Sequence, residues 1–523
     1  MNATEATPGL LRAWTARATL VGDAMAGVSV ALLAIPQSLA YARVAGVPAY
    51  VGLYAAALPP IVAAFFASSP YLQPGPAAVP AVMTAGALAG LAAPGSPEYV
   101  ALAALLALLV GVIRLGIGVL EMGRVVWLMS EPVLRGFTTG AVLLIAFSQL
   151  PLLVGVDTRG MTPLHAAGAA FTQFPSWELE TLAIATVTFL TIVIARRLHP
   201  LIPWAVIVTV GGVAYSKLTG YTGGVVGAIP SGFIPFSLDF PWTALPRLLV
   251  PGVVIALVGF AEAATIARIF AAKDRQRWEP DRDFVSQGMA NVAAAVSGGF
   301  PVGGSFSRST LGRMLGARTQ RSGAITGLTV LLFLPFAFVL GPLPNAVLGA
   351  VVITAVMGLV RVRPILEMWP LSRAQFMVAG GTLVLTLLLA PRIDQAVILG
   401  ILTSIGVHLW REFKLKVVHW TEDDALHVRP EGVLWFGSAE MLRQDVLALV
   451  AEHRGARRLI LDMERVGRVD LTASLALKAL VNQTRAAGLE TEVRSVHPIT
   501  ARALQRVLAQ QAKPSGRDAD PSE

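Results

Sequence analysis

From Leu20 to Leu409 the chain repeats one pattern: a long apolar block, a short polar break, then another block. Val100–Val112 (VALAALLALLVGV), Leu328–Leu340 and Val378–Ala390 hold no charge at all. A bilayer core of roughly 30 Å takes about 20 mostly apolar residues per helix. Fourteen such blocks can be marked, beginning near residues 20, 51, 76, 98, 130, 178, 202, 244, 283, 303, 323, 344, 374 and 393. The pattern predicts a polytopic α-helical membrane protein of 14 spans over 20–410, preceded at 1–19 by a polar arm or a short surface helix. The first block reads as a span that stays in the chain, not as a cleaved leader. After Trp410 the pattern changes. Residues 411–424 (REFKLKVVHWTEDD) read as a charged linker. Residues 425–512 then alternate between short strand-like and helix-like runs, which predicts a small α/β domain. Its strands are expected at Leu426–Arg429, Val433–Phe436, Arg458–Met463 and Thr491–Val496. Its helices are expected at Ala439–His453, Thr472–Ala487 and Ile499–Gln510. The tail at 513–523 reads as disordered.

Composition agrees with the membrane assignment. Hydrophobic residues make up 55% of the 523 and charged ones 14%, against about 25% charged in soluble domains. The net charge of +9 does not point to nucleic acid, because its excess sits in short loops between apolar blocks. With the N-terminus in the cytoplasm, the inner loops hold Arg124, Arg196, Arg197, Arg268, Lys273, Arg275, Arg277, Arg282, Arg313, Arg318, Arg321, Arg361, Arg363 and Arg373. The outer loops hold only Arg43, Arg159, Lys217 and Arg392. Such asymmetry is the signature of positive-inside topology, and it places both ends of the chain in the cytoplasm. Arginine outnumbers lysine and alanine is abundant, as in GC-rich bacteria, so a bacterial inner membrane is expected. Cysteine is absent, which excludes disulfides and thiolate metal sites. The histidines show no metal-ligand spacing and no Walker A motif is present. No metal, no cofactor and no enzyme chemistry are expected.

An internal repeat narrows the function. At an offset of 225 residues, Gln37–Arg43 (QSLAYAR) falls on Glu262–Arg268 (EAATIAR), and Pro76 falls on Pro301. Two matches at one offset suggest duplicated halves, about 20–219 and 244–410. Seven spans per half is odd, so the halves run in opposite senses through the membrane, a plan common to secondary transporters. Gln73–Pro80 (QPGPAAVP) and Gly298–Ser305 (GGFPVGGS) are too rich in Pro and Gly for helix interior. Each reads as an extended piece followed by a half-helix starting inside the membrane, at spans 3 and 10. Irregular backbone at that depth must face protein or a watery cavity. Half-helix N-termini offer free N–H groups and partial positive charge to an anion.

Several stretches resemble one family, the SulP-type anion transporters. Ala34–Ala56 (AIPQSLAYARVAGVPAYVGLYAA) is similar to its signature in spans 1 and 2. Gln73–Met83 (QPGPAAVPAVM) resembles its span 3 motif, and Asn291–Leu311 (NVAAAVSGGFPVGGSFSRSTL) its motif at spans 9 and 10. Residues 425–512 look like a STAS domain, the module that follows the membrane part in that family. The resemblance implies a core domain moving against a gate domain, and homodimers. It also implies anions such as sulfate, bicarbonate, chloride, oxalate or C4-dicarboxylates as substrates.

The candidate site residues follow. Glu262 is a carboxylate inside span 8, costly there unless paired or protonated and functional by default. The resemblance puts it at the substrate site. It is the expected carrier of a coupling proton, with sodium as the other possible coupling ion. Its structural alternative is an ion pair with Arg308 or Arg268. Gln37, its repeat counterpart, can donate to an anion, and Tyr41 lies one turn on. Ala77, Ala78 and Val79 would act through backbone N–H groups. So would Ser305, Phe306 and Ser307, the two serines adding hydroxyls. Arg308 matches a site-lining cation of the family's span 10 motif, or belongs to the positive-inside set. In the C-terminal domain, Asp470-Leu471-Thr472-Ala473 occupies the place of a phosphorylatable motif in a degraded form, and helix capping there is the simpler expectation. Together these features predict a proton-coupled anion transporter working by alternating access. A passive channel or an exchanger is the alternative on the same scaffold. A nucleobase permease of similar fold is disfavoured, because those proteins lack a STAS domain.

Overall fold

The computed structural model describes residues 9–158, 160–199, 202–413 and 415–495. It divides into two compact units, Met1–Ser404 and Ile405–Glu523. The first unit is helical. Its first part holds α1 (Gly9–Val44), α2 (Ala49–Ala64), the two-residue strand β1 (Pro74–Gly75), α3 (Ala78–Leu88) and α4 (Pro97–Val119). Then come α5 (Glu131–Val154), α6 (Pro163–Thr172), α7 (Leu179–Leu198) and α8 (Trp204–Thr219). The later part holds α9 (Leu245–Lys273), α10 (Pro280–Val296), the strand β2 (Gly303–Gly304), α11 (Phe306–Met314) and α12 (Arg321–Phe333). It closes with α13 (Asn345–Met357), the short α14 (Arg363–Leu366) and α15 (Met368–Leu371), α16 (Arg373–Leu388) and α17 (Ile393–Phe413). A helix starts near each of the apolar blocks read from the sequence. The first begins early, at Gly9, so part of the stretch expected as an arm or surface helix is helical; residues 1–8 of that stretch lie outside the described residues. Among the described helices, 7 are long and apolar enough to cross a membrane.

Polarity is arranged for lipid outside and polar groups within. Leu190, Ile194, Leu332, Leu388 and Leu402 are exposed, while Gln37, Arg114, Gln149, Gln287 and Asn291 are buried. In lipid the apolar effect gives no drive between helices, so they associate through small residues and interhelical polar contacts. The α4–α10 pair shows this: a Cβ added at Gly288 would lie 3.0 Å from the Gly111 carbonyl. Packing sorts the helices into two groups. In one, α1, α2, α3 and α4 pack with α9, α10, α11 and α12; in the other, α5, α6, α7, α8, α13 and α16 pack together.

The second unit is a mixed sheet with helices. Its elements are β3 (Lys416–Glu422), β4 (Ala425–Leu434), α18 (Phe436–Glu452), β5 (Arg458–Asp462), β6 (Val466–Val469), α19 (Leu471–Ala486) and β7 (Glu490–Arg494). The sheet runs β3-β4-β5-β7, with β6 paired to β4. The β3–β4 pair is antiparallel and the other pairs are parallel. Leu426, Val428, Leu442, Val446, Leu459, Leu461, Leu477 and Leu480 form its core. Three expectations need correction. Residues 411–424 are no linker: α17 runs to Phe413 and most of the rest is β3. Its charges lie among positions whose apolar members, Leu415 and Val417, pack on the core. The strands expected at Leu426–Arg429 and Val433–Phe436 are one continuous strand, β4, and Phe436 opens a helix. The strand β6 was not anticipated, because Val466–Val469 carries two charged or glycine positions exposed between two buried valines. The expected helix Ile499–Gln510 and tail 513–523 lie outside the described residues.

Candidate functional site

The two Pro/Gly-rich stretches meet. Pro74 pairs with Gly304 and Gly75 with Gly303 in an antiparallel two-stranded ladder, and each strand leads directly into a short helix. At 11 and 9 residues, α3 and α11 are too short to span a bilayer. The pairing brings their N-termini to one place. Neither N-cap residue, Ala77 or Ser305, gives a side-chain capping bond. The first N–H groups to re-enter intrahelical bonding are those of Ala81, to the Ala77 carbonyl, and Ser309, to the Ser305 carbonyl. The N–H groups of Ala78, Val79, Phe306, Ser307 and Arg308 therefore precede the helical ladder, as the first N–H groups of any helix do. Pro80, at the third position of α3, has no N–H to leave unpaired.

A cavity of about 370 Å³ opens beside these N-termini. On one side it is lined by Gln37 and Tyr41 of α1, Ala77, Ala78, Glu262 of α9, Ser305, Phe306 and Ser307. The opposite wall comes from α7, α8 and α13 and the segment after it, with Ile192, Arg196, Trp204, Val351, Thr354 and Arg361. The cavity thus lies between the two helix groups. Its chemistry is concentrated on the first wall. Ser305 and Ser307 hydroxyls lie 3.2 Å apart. The buried Gln37 Oε1 and Glu262 Oε2 have no hydrogen-bond partner. Glu262 makes no ion pair with Arg308 or Arg268 among the described residues, so the structural alternative, a lock between them, is not formed.

Eight of the ten predicted residues share this cavity; Val79 and Arg308 do not line it. Val79 is 1% exposed. Arg308, 2% exposed, lies under the β1–β2 ladder. A Cβ added at Gly75 would fall 2.8 Å from its Nη1 and 3.2 Å from its Cζ. Its Nε and Nη2 are buried without a partner. The guanidinium therefore underlies the site, and the missing side chain at Gly75 makes room for it. Sequence reasoning missed two residues of the lining. Arg196 and Arg361 were counted only as topology charges, yet both border the cavity.

In the second unit, Asp470 caps α19, its Oδ1 accepting from the Ala473 N–H at 2.7 Å, as the capping alternative required. Its Oδ2 also accepts from the Phe436 N–H. Asp462 is a buried carboxylate gripped by Arg429, whose Nη2 stands 2.6 Å away, and by the Glu464 N–H. Burial acts to raise its pKa, but these bonds outweigh it and hold the carboxyl below the usual range.

Comparison with known proteins places this architecture. The profile described as "Sulfate permease family" matches residues 20–382, and that of the STAS domain matches residues 418–511. A probable sulfate transporter of Mycobacterium tuberculosis is 32% identical over 501 residues, covering 89% of this chain and 87% of its own length. The fold is shared with a murine solute carrier 26 family member A9 anion transporter in the inward-facing state. That match has a TM-score of 0.87 at 22% identity, over 93% of this chain and 87% of the other. The transmembrane domain of a cyanobacterial bicarbonate transporter matches with a TM-score of 0.65 at 23% identity, over 73% of this chain and 97% of that one.

Proposed function

The chain belongs to the sulfate permease family, whose members carry anions across membranes, and on that premise we propose that it is a proton-coupled secondary transporter of a small anion. Sulfate and bicarbonate are the first candidates, from the relatives' names, and a C4-dicarboxylate such as fumarate the next. One observation carries the reading. Two uncapped half-helix N-termini converge on a cavity that also holds an unpartnered carboxyl, Glu262. The N–H groups and helix dipoles suit an anion. The carboxyl suits a proton that accompanies it. Gln37, Tyr41, Ala77, Ala78, Ser305, Phe306 and Ser307 are the proposed substrate contacts, with Val79 and Arg308 acting from behind through an N–H group and a charge. Gln37 and Glu262, counterparts at the 225-residue offset, both face this cavity, which supports two inverted seven-span halves. The two helix groups are the proposed core and gate, moving against each other in alternating access, in a homodimer of the inner membrane with both termini cytoplasmic.

The test is uptake of labelled sulfate, bicarbonate and fumarate into proteoliposomes, with and without an inward proton gradient. Accumulation of one anion above its external concentration, driven by the pH gradient, is the expected result. Downhill flux alone would make the protein a channel, and strict dependence on an internal anion would make it an exchanger.

A further inference from the structure

The site is backed by a buried arginine that no part of the reading so far uses. Arg114 lies in the apolar run of α4 and is 0% exposed. Its Nε donates to the Ala256 carbonyl at 3.0 Å and its Nη2 to the Ile255 carbonyl at 3.2 Å, both on α9. Its Nη1 donates to the Val302 carbonyl at 3.0 Å. No carboxylate pairs with it among the described residues. A charge in such surroundings is costly, and here backbone carbonyls alone solvate it. Their positions give the cost a purpose. Ile255 and Ala256 lie about two turns before Glu262 on the same helix. Val302 immediately precedes β2, which leads into α11. The Val302 peptide is held from a second side by Asn291 of α10, which accepts from its N–H at 2.9 Å and donates to its carbonyl at 3.0 Å. The guanidinium also lies against Gly259. A Cβ added at Gly259, one turn before Glu262, would lie 2.6 Å from Arg114 Nη2 and 3.7 Å from Pro80 in the first turn of α3.

We propose that Arg114 is the positioning residue of the anion site. It locks α9, and with it Glu262, to the strand that launches α11, and its unpaired charge adds to the positive ends of the two half-helices. This rests on the anion reading above and adds to it a source of selectivity. A fixed positive charge without a protein counter-ion favours a divalent anion over a monovalent one, since the attraction doubles with ligand charge. Lysine keeps the charge but offers a single ammonium in place of the planar fork that reaches three carbonyls.

The experiment measures KM and maximal rate for sulfate and for chloride in proteoliposomes, using the full chain with Arg114→Gln, Arg114→Lys and Gly259→Ala. Arg114→Gln is expected to raise the sulfate KM on the order of tenfold, and to raise the chloride KM less, so that the divalent preference shrinks. Arg114→Lys should restore that preference while both KM values stay above wild type. Gly259→Ala keeps the charge but displaces the guanidinium. It should raise both KM values with the preference intact, and it carries the test if Arg114→Gln does not fold. The inference is overturned if Arg114→Gln leaves both KM values unchanged, if lysine restores no more preference than glutamine, or if a folded Gly259→Ala binds both anions as wild type does. Wild-type protein that takes up none of sulfate, chloride, bicarbonate and fumarate would instead sink the anion reading itself.

Discussion

Glu262 and Arg308 lie within electrostatic reach of each other but form no ion pair, and that separation is what makes the pair useful. An ion pair would neutralise both and fix them. Here Glu262 Oε2 and Arg308 Nε and Nη2 are all buried and unpartnered, a state that native interiors rarely tolerate. An anion between the half-helix N-termini would add negative charge beside Glu262. Like charges in a low-dielectric site oppose each other, so anion binding favours the protonated carboxyl. By linkage the protonated carboxyl tightens the anion to the same degree. A carrier that moves only when both are bound is a symporter. Glu262→Gln imitates the protonated state permanently. It is expected to bind anion and exchange it across the membrane, but to lose acceleration by an inward proton gradient. Counterflow and gradient-driven uptake, measured on one preparation, decide the matter. Full proton-driven accumulation by the variant would place the proton on another group.

At the scale of elements, the ladder of β1 and β2 links the two half-helices to the charge beneath them. Arg308 belongs to α11 but its guanidinium lies against Gly75 of β1. Arg308→Ala should weaken anion binding, more for a divalent anion than a monovalent one. Loss of one buried charge interaction is worth a few kcal/mol at most, and water in the cavity lowers that. Gly75→Ala needs no change of charge to reach the same group. Its Cβ would stand 2.8 Å from Nη1, so the guanidinium must swing away. The two substitutions should therefore be non-additive: Gly75→Ala raises KM in the wild type and adds little to Arg308→Ala. A double-mutant cycle on KM checks this, and full additivity would mean that the contact carries nothing. Much of this arrangement was legible beforehand. Pro and Gly cannot lie inside a helix at low cost, so QPGPAAVP and GGFPVGGS announced the breaks, and the 225-residue offset paired them. What stayed hidden has physical reasons. Which side of a half-helix its arginine takes depends on tertiary packing, so Arg308 was expected in the cavity wall instead of beneath the ladder. Arg114 was legible by the rule that singled out Glu262, an ionisable group inside an apolar span, but a single charge does not break an apolar block. In the second unit, β3 was masked by its charges and β6 by its brevity.

Over the whole molecule, the two units have different physical bases and should respond to different perturbations. The second unit has a hydrophobic core and a partly buried Arg429–Asp462 pair. Because the Asp462 pKa is held below its unfolded value, its contribution is complete above the unfolded value of about 4 and is lost as pH falls through the folded one. Asp462→Asn should lower stability at neutral pH and flatten the decline between about pH 5 and pH 3. Urea unfolding of residues 411–523 across that range measures it, and a decline as steep as wild type would assign the acid sensitivity to other groups. The first unit has its own interior, built by helix packing. The boundary falls inside α17, and β3 begins at Lys416, three residues past the end of that helix. A chain ending at residue 414 therefore keeps every helix of the first unit and removes every strand of the second. It is expected to be extracted from membranes as a monodisperse species with transport reduced but not abolished. The described residues that line the cavity all lie before the cut, as does Arg308. Size-exclusion chromatography of the truncated protein, followed by the same uptake assay, tests both halves of the expectation. An aggregated product would show that the helices need the sheet domain to fold. A monodisperse product without transport would show that the domain is required for the motion itself.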